Sequence, residues 1–502
     1  MNNDQLKILF VAGEITPMAK VGGLADVIGA LPKALKKFGV DVKIIIPKYG
    51  IIDEKKYPLK KIASNIKIPF YNQEELINVY STFLPETQNQ IEIYLIENLK
   101  YLSHGEIYFT PDASSSGALN ECQRFNFFTK CVADFFLNKK INWQPNIFHC
   151  HDWHTGFLPL LTKIQSSDKQ IKTLFTIHNL AYQGKYNPKE IFKMFNLKEE
   201  NWPTLKKRTK NQFEDLNAVQ QAILNADLIN TVSPTYSQEI LTKEFGEGLE
   251  NDLKQRKKAI FGILNGIDTT FFNPATDLNL IKNYGLKMSN EQLFENKQEN
   301  KSYLQKICTF KIDSKIPLIG LISRIADQKG FDLIIKIFDQ LMEQNLQFVL
   351  LGAGDLKIEK KLAVLALKYS DKFSCNFKFD AKLAQQIYAG SDIFLMPSHF
   401  EPCGLGQLIA MRYGTIPIVR KTGGLADTVK NYELRVTGYN LGIGFVFEKY
   451  DANKMLNSIN KALKIYKNKK EWKKIIIHDM KQNFSWECSA KKYLKLYQRL
   501  LR

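Results

Sequence analysis

Strand-length apolar runs alternate with helix-length amphipathic runs through both halves of this chain. That alternation confines each half to an open, mostly parallel α/β sheet with helices on its faces. LKILFVA (6–12) is a buried-strand run, and a loop carrying KVGG follows it. From Leu24 the apolar residues Leu24, Val27, Ile28, Leu31, Leu35 and Phe38 recur at helical spacing, until Gly39 ends the helix. VDVKIIIP (40–47) is the next strand. A helix used as a crossover forces its two strands to run parallel. IEIYLIE (91–97), NIFHCHD (146–152), IKTLFTIHN (171–179) and ADLINTVS (226–233) extend the series.

The stretch from 265 to 316 is polar and breaks the pattern, so it reads as a linker. Beyond it come the strands IPLIGLIS (316–323), QFVLLGAG (347–354), FKF (377–379), SDIFLMPS (391–398) and TIPIVR (415–420). Between them lie the helices FDLIIKIFDQLMEQ (331–344), LAVLALKY (362–369) and AKLAQQIYAG (381–390), and EPCGLGQLIAMRYG (401–414) is a loop entering another. The chain ends on an amphipathic helix, CSAKKYLKLYQRLLR. The expected domains are 1–265, completed by a C-terminal helix at 482–502, and 275–480. At roughly 150 residues per domain, a length of 502 also suggests more than one.

One phrase occurs twice, as KVGGLADV (20–27) and KTGGLADTV (421–429). Each copy follows a strand and opens a helix. Ligands of open α/β sheets sit beyond the carboxyl ends of the strands. Helix starts there offer free amides and the positive end of the helix dipole, and glycine lets the backbone approach closely. Two such domains facing each other predict a cleft that holds a phosphate-bearing ligand. Asp26 and Asp427 fall in the first helical turns, where a carboxylate favours the dipole.

The formal charge is +19, but the lysines are dispersed. Only short clusters such as 205–210, 254–258 and 468–474 stand out, with no aromatic-interleaved basic stripe, so nucleic acid is not the expected partner. No apolar run approaches the ~20 residues that cross a bilayer. The start, MNNDQLKILFVA, carries no secretory pattern. Seven scattered cysteines without a CxxC pair fit a reducing compartment. A cytoplasmic protein, or one of the plastid stroma in a photosynthetic source, is the expectation. HCHDWH (149–154) holds metal-ligand letters, but no fourth ligand is evident and no metal site is expected.

KVGGLADV, HDWHTG (151–156), TIHNLAYQG (176–184), SRIADQKGFD (323–332), FEPCGLGQL (400–408) and TGGLADTV (422–429) run in one order along nearly the whole chain. Together they resemble the bacterial and plastid-type glycogen (starch) synthases. The resemblance implies a GT-B fold of two facing Rossmann-like domains. It implies a retaining transfer of glucose from ADP-glucose, or less readily UDP-glucose, to the non-reducing end of an α-1,4-glucan, without a cofactor. A catalytically silent glucan-binding protein is the rival from another class. An oxidoreductase is disfavoured, since GAGD (352–355) is not a full dinucleotide fingerprint.

Departure of a nucleoside diphosphate builds negative charge on phosphate, which fixed cations and backbone donors can stabilise. By resemblance, Arg324 and Lys329 contact the donor diphosphate, Glu401 binds the donor glucose, and His178 lines the glucose pocket. Related retaining transferases carry a second glutamate eight positions after the first; here that position is Ile409. The same resemblance gives Lys20, Gly22, Gly23, Cys403, Gly404, Leu405, Thr422 and Gly423 to the donor, and Glu14, Asp152, Trp153 and Asn179 to the acceptor and sugar. Cys403 reads better as a packed thiol than as a nucleophile, for want of a histidine partner.

Overall fold

The structure, a computed structural model, describes residues 5–88, 90–108, 120–165, 171–197, 216–432 and 442–502. The basic cluster at 205–210 lies outside them. The chain divides into two compact units, one of residues 1–232, 237–264 and 486–502, the other of 233–236 and 265–485.

In the first unit, nine strands form one sheet among the described residues. They are β1 (Lys7–Val11), β2 (Asp41–Pro47), β3 (Lys60–Phe70), β4 (Gln73–Phe83), β5 (Glu92–Glu97), β6 (Ile147–His151), β7 (Lys172–Ile177), β10 (Leu228–Thr231) and β11 (Ile260–Gly262); β8 (Lys185–Tyr186) and β9 (Leu216–Asn217) form a separate pair. The order is β11-β10-β7-β6-β1-β2-β5-β4-β3. Every pairing from β11 to β5 is parallel. The β3–β4 hairpin at the edge, antiparallel to β5, is absent from the sequence expectation. Its two-residue turn is Tyr71-Asn72, with φ of 55° and 56°. Two positive φ values define the turn type that glycine usually signals, and this turn has none.

The terminal helix Trp486–Leu500 joins this unit. Trp486, Tyr493, Leu496 and Tyr497 share one apolar cluster with Leu24, Val27, Ile28 and Leu31 of the helix Gly23–Lys36. Tyr493 and Tyr497 are completely buried, each worth roughly 1.5–3 kcal/mol of apolar transfer.

The second unit holds a six-stranded parallel sheet among the described residues. Its strands are β12 (Leu318–Ile322), β13 (Gln347–Leu351), β14 (Phe373–Asn376), β15 (Ile393–Met396), β16 (Ile416–Arg420) and β17 (Phe445–Phe447), in the order β14-β13-β12-β15-β16-β17. The strand expected at FKF (377–379) is displaced to Phe373–Asn376, which pairs with β13, and Phe379 is left exposed. The long helix expected over 331–344 divides at Ile337 into Phe331–Lys336 and Phe338–Met342.

The expected linker is also corrected. Residues Asn290–Ile307 form an 18-residue helix capped by Ser289, whose hydroxyl accepts from the Gln292 amide. Its buried face is mostly polar: Lys297, Asn300, Lys301 and Gln305 beside Leu293 and Leu304. Lys297 donates to the carbonyls of Ala389, Ser391 and Tyr413 and to Thr415, and Lys301 pairs with Asp392 at 2.7 Å. Apolar periodicity cannot reveal a helix that docks through lysines.

In both sheets the strand order reverses beside the first strand, between β1 and β6 and between β12 and β15. Such switch points are where doubly wound sheets take ligands. Among the described residues no helix is long and apolar enough to cross a membrane.

Candidate active site

The loops after β1, β6 and β7 bring together the first unit's expected site residues. Glu14 is buried. Its Oε2 accepts from the amides of Val21 and Gly22, both at 2.8 Å, and its Oε1 accepts from the Tyr108 hydroxyl at 2.7 Å. Tyr108 lies 2.8 Å from Nε2 of His154. Two amides expected to be free at this helix start are therefore held by the chain's own carboxylate, because a buried acid needs donors and the helix end has them. Beyond Gly22 and Gly23 the space is open, with no atom within 4 Å of where either Cβ would stand. Lys20 is exposed and pairs with Asp26 at 2.6 Å. A surface pair of this kind contributes about 1 kcal/mol or less, so an anion can draw the lysine away.

Asp152 combines a positive φ of 53° with an extended ψ of −174°, a conformation that few non-glycine residues adopt. Its Oδ1 accepts from the His178 amide at 2.7 Å, so the bend joins the β6 and β7 loops. Burial raises its carboxyl to about 7, against the pull of the His178 and Asn179 amides. His178 is half-buried, and Nε2 of its ring meets Nδ1 of His151 at 2.9 Å. Burial lowers His178 and His154 to about 3, and His149 and His151 well below the usual range, so all four imidazoles are neutral at pH 7. Trp153 lies against His154 with ring centres 4.2 Å apart and planes tilted by 31°, and meets the Phe125 ring edge-on. Asn179 spends its side-chain oxygen on the Ala181 amide, closing its own turn.

In the second unit the loops after β12, β15 and β16 converge. Lys329 and Glu401 form an ion pair at 2.6 Å, and Ser398 donates to the same Oε2 at 2.9 Å. Glu401 is buried and Lys329 is mostly so. Arg324 is exposed on the loop that carries Lys329. The GAG at 352–354 braces that loop: a Cβ on Gly352 or Gly354 would meet the carbonyl of Ser323 or Ile325 at 1.8 or 2.1 Å. Gln328 crosses to the neighbouring loop, donating to the Phe400 carbonyl at 3.1 Å and accepting from the His399 amide at 2.8 Å.

The second glycine pair is packed, unlike the first. A Cβ on Gly423 would stand 2.0 Å from the Glu401 carbonyl, and one on Gly424 2.0 Å from that of Cys403. Thr422, fully buried, holds the N-cap position of the helix Gly423–Thr428; Asp427 falls beyond the first turn expected for it and instead accepts from the amide and hydroxyl of Thr235 at 2.8 and 2.7 Å. Gly404, at φ +73°, turns the chain into the helix Gly406–Arg412, with Leu405 at its cap. Gln407 ties that turn together through the carbonyls of Cys403 and Gly404. The Cys403 side chain is buried and its thiol is pushed up to about 12, so it is packing and only its backbone is left for a ligand. The sequence alone gives Ser398, Gln328 and Tyr108 no role, and reads His151 only as a metal-ligand letter of HCHDWH and the first residue of HDWHTG. Ser398 could have been suspected from its place three residues before Glu401, but Tyr108 lies 94 residues from Glu14 and nothing in the letters links them.

Residues 7–255 match the family described as starch synthase catalytic domain, and residues 305–478 match glycosyl transferases group 1. Two α/β units with their site residues on loops at the carboxyl ends of parallel strands, matched in this way, define a GT-B glycosyltransferase. The chain is 41% identical to a glycogen synthase of Thermotoga petrophila and 43% identical to one of Geotalea daltonii, over 99% of each chain. It is also similar to the solved catalytic domain of starch synthase IV from Arabidopsis thaliana bound to ADP and acarbose, with a TM-score of 0.87 and 33% identity, covering 99% of this chain and 100% of that one. The chain belongs to the glycogen synthase family, and its activity is glucosyl transfer in glycogen or starch synthesis.

Proposed function

We propose that the donor is ADP-glucose and that glucose passes, with retention, to the 4-OH at the non-reducing end of an α-1,4-glucan. The observation that carries this reading is the Lys329–Glu401 pair beside Arg324, on loops of adjacent strands at the switch point of the second sheet. The ADP held by the Arabidopsis relative supports the choice of nucleotide.

In this reading Arg324 and Lys329 hold the diphosphate, with backbone groups near Leu405, Thr422 and Gly423. Glu401 binds the glucose hydroxyls and aims Lys329 through their shared contact. Lys20, Gly22 and Gly23 add to the donor side. His178, Asp152, Trp153 and Asn179 face the sugar and acceptor, with Glu14 shaping the loop behind them. The second unit is the donor domain and the first the acceptor domain. Charge on the departing phosphate is met by fixed cations and amides, which need no reorganisation at the moment of reaction.

A double displacement needs a carboxylate beneath C1. Ile409 stands where the second acid of related enzymes would be, so the transfer proceeds on one face of the sugar, and the leaving phosphate takes the acceptor's proton. The test is transfer of labelled glucose to glycogen from ADP-glucose and UDP-glucose in parallel. Faster transfer from UDP-glucose would reverse the donor assignment, and no transfer from either would favour a silent glucan-binding protein.

A further inference from the structure

His151 ends β6, and its Nδ1 lies 2.9 Å from Nε2 of His178. Exactly one hydrogen can occupy that contact, carried by one ring or the other. The second nitrogen of His151, Nε2, is buried and has no hydrogen-bond partner among the described residues. A buried N–H without an acceptor is worse tolerated than a buried lone pair without a donor. The His151 proton therefore belongs on Nδ1, inside the contact. Nε2 of His178 then accepts, and the neutral His178 ring must carry its own proton on Nδ1.

We infer that His151 is a positioning residue for glucosyl transfer: it fixes the His178 tautomer, so that His178 meets the substrate as an Nδ1–H donor and not as a base. The inference rests on the sugar-pocket role proposed above for His178.

The surroundings of His151 fit this task. Its ring stacks on Phe10, with centres 5.4 Å apart and planes 22° apart, and lies 4.1 Å from the His149 ring. His149 is fixed at both nitrogens, by the Thr176 hydroxyl at 2.7 Å and the Tyr497 hydroxyl at 2.9 Å. Asn230 holds Thr176 in turn and bonds the Tyr493 hydroxyl. Thus the C-terminal helix clamps the histidine stack from beneath. The Asp152 carboxylate fixes the His178 backbone on the other side. Burial keeps both imidazoles neutral, so no imidazolium competes with this tautomer. An Nδ1–H can bond a sugar oxygen as positive charge develops at C1, and no proton leaves the enzyme. That suits a transfer in which phosphate is the base.

Two full-length variants and one spectrum test this. His151→Phe keeps a ring but removes the donor; His151→Asn keeps a side-chain N–H close to the original Nδ1. For His151→Phe, kcat should fall roughly 10–100-fold, as when other groups that set a histidine tautomer are lost, while KM for ADP-glucose stays within about threefold. His151→Asn should regain most of that loss. A His151→Phe enzyme within about twofold of wild-type kcat would overturn the inference. So would a His151→Asn enzyme of wild-type Tm no faster than His151→Phe. In wild-type protein labelled with 15N-histidine, His178 should show a protonated Nδ1 and an unprotonated Nε2; the reverse pattern would overturn the inference even if both variants failed to fold. A wild-type protein that transferred no glucose would instead sink the sugar-pocket reading, and the spectrum would still decide the tautomer.

Discussion

Gly22-Gly23 and Gly423-Gly424 share their letters but not their task. The first pair faces open space; the second is wedged against the backbone of the Glu401–Cys403 loop. Gly23→Ala should therefore keep Tm within a few degrees, since alanine suits the first turn of a helix, and should raise KM for the donor. Gly424→Ala has no flexible neighbour to push aside. It should cost roughly 1–3 kcal/mol, read as a clear drop in Tm. Equal Tm losses in the two variants would show that the first pair is packed as well. At Glu401, Gln keeps an acceptor for Ser398 but removes the charge that pairs with Lys329. Glu401→Gln should cut kcat by about 10²-fold or more while ADP binding, followed by calorimetry, changes little. Loss of ADP binding alongside kcat would mean that the ion pair builds the phosphate site. Lys329 and Glu401, like Arg324, are legible in the sequence through the motifs SRIADQKGFD and FEPCGLGQL that carry the family resemblance, not through their loop positions. The contact between Lys329 and Glu401 is not legible, since it spans 72 positions.

At the scale of elements, what the letters revealed depended on how each element is buried. Parallel strands are buried on both faces and read as apolar runs, so β1, β2, β6, β7, β12, β13, β15 and β16 were all visible. The β3–β4 hairpin was not, because its turn uses Tyr71-Asn72. The helix Asn290–Ile307 reads as a linker in the sequence because its inward face is built from lysines and amides. Lys297 is buried, its pKa lowered to about 7, and it bonds three carbonyls. Lys297→Met fills the volume but takes a donor from each of those carbonyls, although Tyr413 keeps the Tyr284 hydroxyl and Ser391 the Thr415 hydroxyl. It should destabilise the second unit by roughly 1–3 kcal/mol, seen as a lower denaturation midpoint at pH 7. An unchanged midpoint would mean that the other buried residues of the helix, Lys301 with its Asp392 partner among them, hold it without Lys297.

The whole molecule should respond to acid through the first sheet. His149, His151, His154 and His178 all have native pKa values below 6.5 because they are buried. Each takes up a proton on unfolding at pH between its native pKa and 6.5, so stability falls as pH drops through that window, by up to about 1.4 kcal/mol per unit per histidine. Asp152, raised from 3.8 to about 7, acts in the opposite sense: it gains stability as pH falls from 7 towards 4. Asp479, whose carboxyl burial also raises, acts in the same sense as Asp152, and four histidines outweigh two aspartates, so Tm should fall between pH 7 and pH 5. A flat profile would mean that the histidine stack is open to water.

The reaction itself gives the most direct test. Fixed cations and amides are assigned the leaving phosphate, so enzyme treated with EDTA should transfer labelled glucose from ADP-glucose to glycogen at its untreated rate, and Arg324→Ala or Lys329→Ala should be severely slowed. Dead EDTA-treated enzyme revived by Mg²⁺ or Mn²⁺, with the two alanine variants still active, would contradict the account.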